Sequence, residues 1–214
     1  MNLRVLYEDN HLIAVFKPAG VLVQGDDTGD VCLMDEVKKY LKEKYKKPGN
    51  VFLGLLHRLD RPVSGIVLFA KTSKGASRLS EQIRNRTVQK IYHATVEGKL
   101  KNKKDTLVNY LKKDENRNFV EVFDEPRDGA LRAELDYEVA DDNILEINLK
   151  TGRPHQIRAQ LAHIGHPIIG DVKYGSKKKY RDGEIALCAT EFSFDTATTK
   201  ERKTISIDYD PKNS

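Results

Sequence analysis

His57-Arg58-Leu59-Asp60-Arg61-Pro62-Val63-Ser64-Gly65-Ile66-Val67-Leu68-Phe69-Ala70-Lys71-Thr72 joins a polar turn to an apolar run. Ile66–Ala70 reads as a strand, and so does Val51–Leu56 on the other side of the polar stretch. Between them a carboxylate sits flanked by two arginines, in a segment too polar to be core. Rigid scaffolds commonly carry their functional side chains on such connections. If the segment is extended, Arg58 and Asp60 project to one side and Arg61 to the other. Taken alone, the same residues also suit a surface ion pair of little energetic weight.

Working outward, Leu3–Glu8 and His11–Lys17 read as two strands around an Asp9-Asn10 turn, and Lys17-Pro18-Ala19-Gly20 is a second turn leading into Val21-Leu22-Val23. Met34–Tyr45 carries Met34, Val37, Tyr40, Leu41 and Tyr45 at helical spacing, and Pro48-Gly49-Asn50 ends it. Ser73 can cap a helix running to Asn85, with Ala76, Leu79 and Ile83 inward. Strands are expected at Thr87–Glu97, Phe119–Phe123, Ala130–Val139, Ile144–Leu149, Ile185–Phe194 and Lys203–Asp208. Lysine-rich Lys99–Lys113 reads as a solvated edge, and Ser176–Arg181 as a second basic loop. Pro154 is expected at the first position of a helix reaching Ile164, with Ile157, Leu161 and Ile164 as its apolar stripe. Strands outnumber helices and no internal repeat is present, so one α+β domain over 1–214 is the simplest organisation.

Composition narrows the function classes. Charged residues make up 32% of the 214 and hydrophobic ones 39%, as in an ordinary globular protein. No window approaches the roughly 18 apolar residues of a membrane span, and the opening residues lack the pattern of a secretory leader. A cytoplasmic protein is expected. Cys32 and Cys188 form no metal-binding or redox grouping and read as two free thiols. The formal net charge of +5 favours a polyanionic partner, since neutralising phosphates releases counterions.

Two further stretches carry chemistry. In Thr151-Gly152-Arg153-Pro154-His155-Gln156-Ile157-Arg158, the Gly-Arg-Pro order places Arg153 near a helix N-terminus, where free N–H groups and the helix dipole favour a phosphate or a carboxylate. Plain capping with exposed arginines satisfies the same pattern. In Gln89-Lys90-Ile91-Tyr92-His93-Ala94, Tyr92 is either a core tyrosine or a ring that stacks on an unstacked RNA base.

Together and in this order, these segments resemble the RluA-type family of RNA pseudouridine synthases. The hallmark is His57–Thr72, its companions are Lys90-Ile91-Tyr92 and Gly152–Arg158, and Asp9–Gly20 resembles the family's opening strand and turn. The resemblance covers nearly the whole chain. It implies a pseudouridine synthase-like α+β fold, with a mixed, largely antiparallel central sheet, flanking helices and an active-site cleft. It also implies that Asp60 is the catalytic aspartate, Tyr92 the tyrosine against the target base, and Arg153 the arginine paired with Asp60. Arg58 matches the arginine that helps displace the base, and Arg61, Lys90 and Arg158 are expected to contact RNA. Val63 departs from the pattern, because many relatives have threonine there. The family often carries a small N-terminal RNA-binding domain, which is not expected here.

The implied reaction breaks the uridine N1–C1′ bond, turns the uracil and joins C5 to C1′. It needs neither oxidation nor transfer to a second molecule, so no cofactor and no metal are expected. Ribosomal or transfer RNA is the expected partner, and a monomer is the default. Three other classes compete. A glycoside or nucleoside hydrolase would place a second carboxylate roughly 5 to 10 Å from Asp60. A metal-dependent hydrolase would use His155, His163 and His166. A non-catalytic RNA-binding module would leave the set of Asp60, Tyr92 and Arg153 without a purpose.

Overall fold

The computed structural model describes residues 2–26 and 29–210. Among them, eleven strands, three α-helices and one 3₁₀ turn follow one another in an α+β order. The chain divides into two compact units, one of residues up to 88 with 191–207, the other of 89–190 with those from 208 onward.

In the first unit β1 (Val5–Glu8), β2 (Leu12–Lys17) and β4 (Ser64–Ala70) pair antiparallel, β2 matching Leu12 to Ala70 and Lys17 to Gly65. The Asp9 carboxylate accepts the N–H groups of His11 and Leu12 and so closes the β1–β2 turn. Alternation puts Leu12, Ala14, Ile66, Leu68 and Ala70 into one core with Leu79, Phe192, Phe194 and Ile205. Leu79 comes from α2 (Ser73–Arg84), whose cap is Thr72 rather than the expected Ser73: the Thr72 hydroxyl accepts the Gly75 N–H. Gly75 is required there, since a Cβ would stand 2.6 Å from the His11 carbonyl oxygen. The expected Val51–Leu56 strand shrinks to β3 (Gly54–Leu55), because its pairing with β4 ends where the polar turn begins. Val21–Val23, which follow the second turn, form no strand.

Helix α1 (Leu33–Lys44) buries Leu33, Val37 and Leu41. Leu33 takes the inward place expected of Met34, because the helix starts one residue earlier. From its far end Lys44 and Tyr45 hydrogen-bond the Glu8 carboxylate, which also accepts from Lys71 at 2.5 Å. Burial alone would raise the Glu8 pKa, but hydrogen bonds from Lys44, Lys71 and Tyr45 pull it down to about 2.

The second unit is an antiparallel sheet in the order β5 (Gln89–Thr95), β9 (Ile144–Leu149), β8 (Leu131–Asp141), β6 (Lys104–Asp114), β7 (Phe119–Phe123). Here the structure corrects the solvated edge expected over Lys99–Lys113. Most of that stretch is β6, an interior strand between β8 and β7. Its lysines mask an alternation in which Leu107, Asn109 and Leu111 are buried. Asn109 is tolerated on that face because Gln160 Nε2 donates to its Oδ1 at 2.8 Å. Helix α3 (Gln156–His163) packs Ala159 against Leu111, Val120 and Ala133, and the 3₁₀ turn Val172–Tyr174 adds Tyr174 to this core. Strand β10 (Leu187–Asp195) is divided between the units, and β11 (Arg202–Ser206) pairs with its Glu191–Asp195 part. No helix among the described residues is long and apolar enough to cross a membrane.

Candidate active site

The first unit presents the Asp60 turn. Leu59 is buried while Arg58 is exposed and Asp60 half-buried, the alternation of an extended segment. Arg58 and Asp60 are thus the solvent-reaching residues on either side of buried Leu59. The Val63 N–H then bonds the Asp60 carbonyl at 3.1 Å, closing a turn around Pro62 just before β4. His57 anchors the approach: its Nε2 accepts the Leu68 N–H of β4 at 3.0 Å, and its ring lies 4.9 Å from that of Phe192.

Sequence reasoning missed what holds this turn. Lys17, at the end of β2, is fully buried, and its ammonium donates to the carbonyls of Pro18, Val21 and Arg61 at 3.0, 2.7 and 3.1 Å. The Gly20 N–H reaches the same Arg61 carbonyl, and Arg61 Nε returns a bond to the Gly20 carbonyl. Two polar loops are thus laced together around one cation. The signal in the sequence was a lysine ending an apolar strand just before Pro-Ala-Gly. The Arg61 guanidinium stays exposed and pairs with exposed Asp30 at 2.7 Å, a contact of small net worth.

The second unit carries the other candidates. Tyr92 is buried on β5 opposite Ile147, and Lys90, two residues earlier, faces the same way. Burial pushes the Lys90 ammonium below its ordinary pKa. Its Nζ lies 3.4 Å from where a Cβ on Gly152 would stand, so the glycine leaves room for the lysine end.

The 151–158 stretch differs from expectation at its start. Pro154 does not open the helix; His155 precedes Gln156 with a left-handed φ of 47°, and α3 begins only there. Arg153 therefore lies in the turn before the helix. The anion seat expected at this helix end is partly taken by the protein itself. Gln156 Oε1 accepts the Arg153 N–H at 3.1 Å and the Thr151 hydroxyl at 2.7 Å. Gln156 Nε2 donates to the Glu134 carbonyl, fastening the turn to β8. Arg153 is half-exposed, with Nε donating to the Arg132 carbonyl at 3.0 Å.

Arg158 requires a correction. Its side chain is buried, its guanidinium meets Asp171 in a two-pronged ion pair at 2.7 and 2.9 Å, and it lies over the Tyr174 ring. The expected RNA contact at Arg158 gives way to a bracing role, because breaking this pair would strand a buried carboxylate. The three histidines of the metal alternative each meet a separate partner: His155 the Tyr174 hydroxyl, His163 Asp124, and His166 the Glu97 carbonyl.

The arrangement offers a half-buried carboxylate on a braced turn, with exposed guanidinium groups on either side of it in the chain. It separately offers a buried tyrosine beside a partly desolvated lysine. Such groups suit acid–base or nucleophilic work on a polyanionic substrate.

Comparison with known proteins adds the following. The family model described as RNA pseudouridylate synthase matches residues 11–163. The chain is 32% identical over 202 residues to a ribosomal large subunit pseudouridine synthase C of Buchnera aphidicola subsp. Schizaphis graminum, covering 89% of this chain and 62% of that one. It is 30% identical to a tRNA pseudouridine synthase C of Pectobacterium carotovorum, over 97% of this chain and 59% of the other. The Salmonella typhimurium tRNA pseudouridine synthase C is 34% identical, with 84% and 72% covered. Against the first two relatives the chain spans about three fifths of their length. Among solved structures, human RNA Pseudouridylate Synthase Domain Containing 4 superposes with a TM-score of 0.79 at 21% identity, covering 97% of this chain and 88% of that one, a likeness of fold.

Proposed function

The chain belongs to the RNA pseudouridylate synthase family, RluA type, and we propose that it isomerises specific uridines of ribosomal or transfer RNA in the cytoplasm, with 1–214 acting as one catalytic domain. The observation that carries this reading is the Asp60 turn. A half-buried carboxylate stands there on a loop whose backbone is gathered by a buried lysine, within the motif that resembles the family's hallmark. Asp60 is the catalytic carboxylate, acting on the sugar as nucleophile or as acceptor of a sugar proton. Tyr92 is assigned to the target base and to removal of the C5 proton, and Arg153 to keeping the catalytic carboxylate ionised. Arg58 is assigned to the gap left by the extruded uridine, where a planar guanidinium can stack and hydrogen-bond at once. Extrusion costs a few kcal/mol, which such contacts partly offset. Arg61 and Lys90 are assigned to RNA contacts.

The test is tritium release from ribosomal and transfer RNA transcripts labelled at uridine C5, since joining C5 to C1′ expels the C5 hydrogen. The parent should release tritium and yield pseudouridine on nucleoside analysis. Asp60→Asn should abolish release while leaving the circular dichroism spectrum and RNA affinity largely intact. Activity within tenfold of the parent would remove Asp60 from its role, and free uracil as product would replace the isomerase with a hydrolase.

A further inference from the structure

Resting on the RNA reading above, we infer that the loop Val172–Lys179 receives the phosphate backbone of the substrate RNA, and that Glu97 holds it in shape. The loop carries Lys173, Lys177, Lys178 and Lys179, all exposed. Lys173 Nζ reaches the Asn118 carbonyl, and none of the four ammonium groups forms a salt bridge among the described residues. Lysine runs on a slack loop are usually mere solvated surface, but this backbone is tied down at three places. Asp171 is locked onto Arg158. The Tyr174 hydroxyl receives the Val120 N–H at 3.0 Å and bonds the His155 ring at 2.8 Å, two residues from Arg153. Glu97 Oε1 accepts from the Ser176 hydroxyl and from the N–H groups of Lys177 and Lys178 at 2.6, 2.7 and 2.8 Å. Glu97 thus occupies the backbone donors of Lys177 and Lys178, and its charge also attracts the Lys178 ammonium without a salt bridge to it. A cation row ordered in advance loses less freedom on binding.

The other basic stretch, Lys99–Lys104, lacks these features. Lys99 is paired with Asp142 at 2.8 Å and Lys104 with Glu138 at 2.7 Å. Beside Lys104 a shallow depression is lined by Asp105, Asp136, Glu138 and Glu146. That face repels phosphate. Near the 177–179 lysines, Arg181 and Glu184 approach each other at 4.0 Å, which leaves Asp182 as the acidic neighbour in sequence.

The test uses the full chain, a fluorescein-labelled RNA stem-loop and anisotropy titrations over roughly 50 to 200 mM KCl. Each phosphate that the protein ceases to neutralise lowers the salt slope by about 0.7 to 0.9. The variant K177Q/K178Q/K179Q should therefore lose about 2 units of slope, while K99Q/K101Q/K103Q keeps the parental slope. Glu97→Ala separates bracing from plain electrostatics. Removing a negative charge beside lysines should tighten binding if charge alone matters, whereas loss of the brace should weaken it several-fold. Glu97→Gln, which keeps the accepting oxygen, should restore affinity. An unchanged slope for the 177–179 variant, or equal losses in both triple variants, overturns the loop assignment. Tighter binding by Glu97→Ala overturns the role of Glu97. Tritium release is scored separately on the parent. A parent that releases none yet binds through the loop defeats the synthase reading and leaves the loop. One that isomerises but ignores the loop lysines defeats the loop alone.

Discussion

The two polar turns, 57–63 and 151–156, are held from inside by opposite chemistry. At the first, the groups needing partners are carbonyls, those of Pro18, Val21 and Arg61, and the device that gathers them is a donor, the buried Lys17 ammonium. At the second, the Arg153 N–H and the Thr151 hydroxyl are gathered by an acceptor, the neutral Gln156 amide oxygen. A carbonyl-lined turn invites a cation, and a donor-lined turn invites an oxygen. The difference also sets the cost of failure. Each device binds three groups, but the bonds from the ammonium are charge-assisted and so worth more than those an amide makes.

That contrast can be broken by mutation. Lys17→Met keeps the stem and removes the ammonium, and should lower unfolding stability by about 4 kcal/mol in urea titration. Tritium release should fall with it, because the Arg61 carbonyl next to Asp60 loses its ammonium partner and keeps only the Gly20 N–H. Gln156→Leu should cost about 3 kcal/mol by the same titration, through the orphaned Thr151 and Arg153 donors and the Glu134 carbonyl. If the Gln156 variant proved the less stable of the two, the cation would not be the stronger clamp.

Acid sharpens the contrast, since an amide clamp does not titrate. In the first unit the Glu8 carboxylate, held at about 2 against an ordinary 4.5, bonds Lys71 just beyond β4. A depressed carboxylate pKa means stability that is complete above 4.5 and is lost as pH falls towards about 2. Glu8→Gln should therefore cost about 2 kcal/mol at neutral pH, allowing for the solvent that reaches Lys44, and the gap to the parent should narrow across that window. Hydrogen exchange would locate the effect. Amides of β1 and β4 should lose protection on acidification before those at the start of α3, and simultaneous loss would contradict the assignment.

Much of the fold was legible because burial writes itself as periodicity. The Leu12–Lys17 and Ile66–Ala70 strands, the α1 and α2 helices and the strands around Tyr92 stand close to where alternation and helical spacing placed them. Boundaries moved where a cap or a partner decided, as at Thr72 and Leu33. The one element misjudged in kind was β6, where three lysines stand against only three inward residues and the stretch reads as edge until β7 and β8 are seen on its two sides.

By itself the sequence determined the α+β class, the family resemblance and which side chains could do chemistry, because these depend on local order and residue type. Tertiary structure alone decided which of those side chains are available. Arg153 and Arg158 are one motif in the sequence, yet one is half-exposed and the other is sealed against Asp171, thirteen residues further along the chain. Glu97 carries no local sign of importance, since it gathers backbone groups 80 and 81 residues away. Lys17, though it ends an apolar strand before Pro-Ala-Gly, shows nothing in the sequence of its bond to the Arg61 carbonyl 44 residues away. A charged group's role follows from which partners desolvate with it, and that is settled only when the chain has closed on itself.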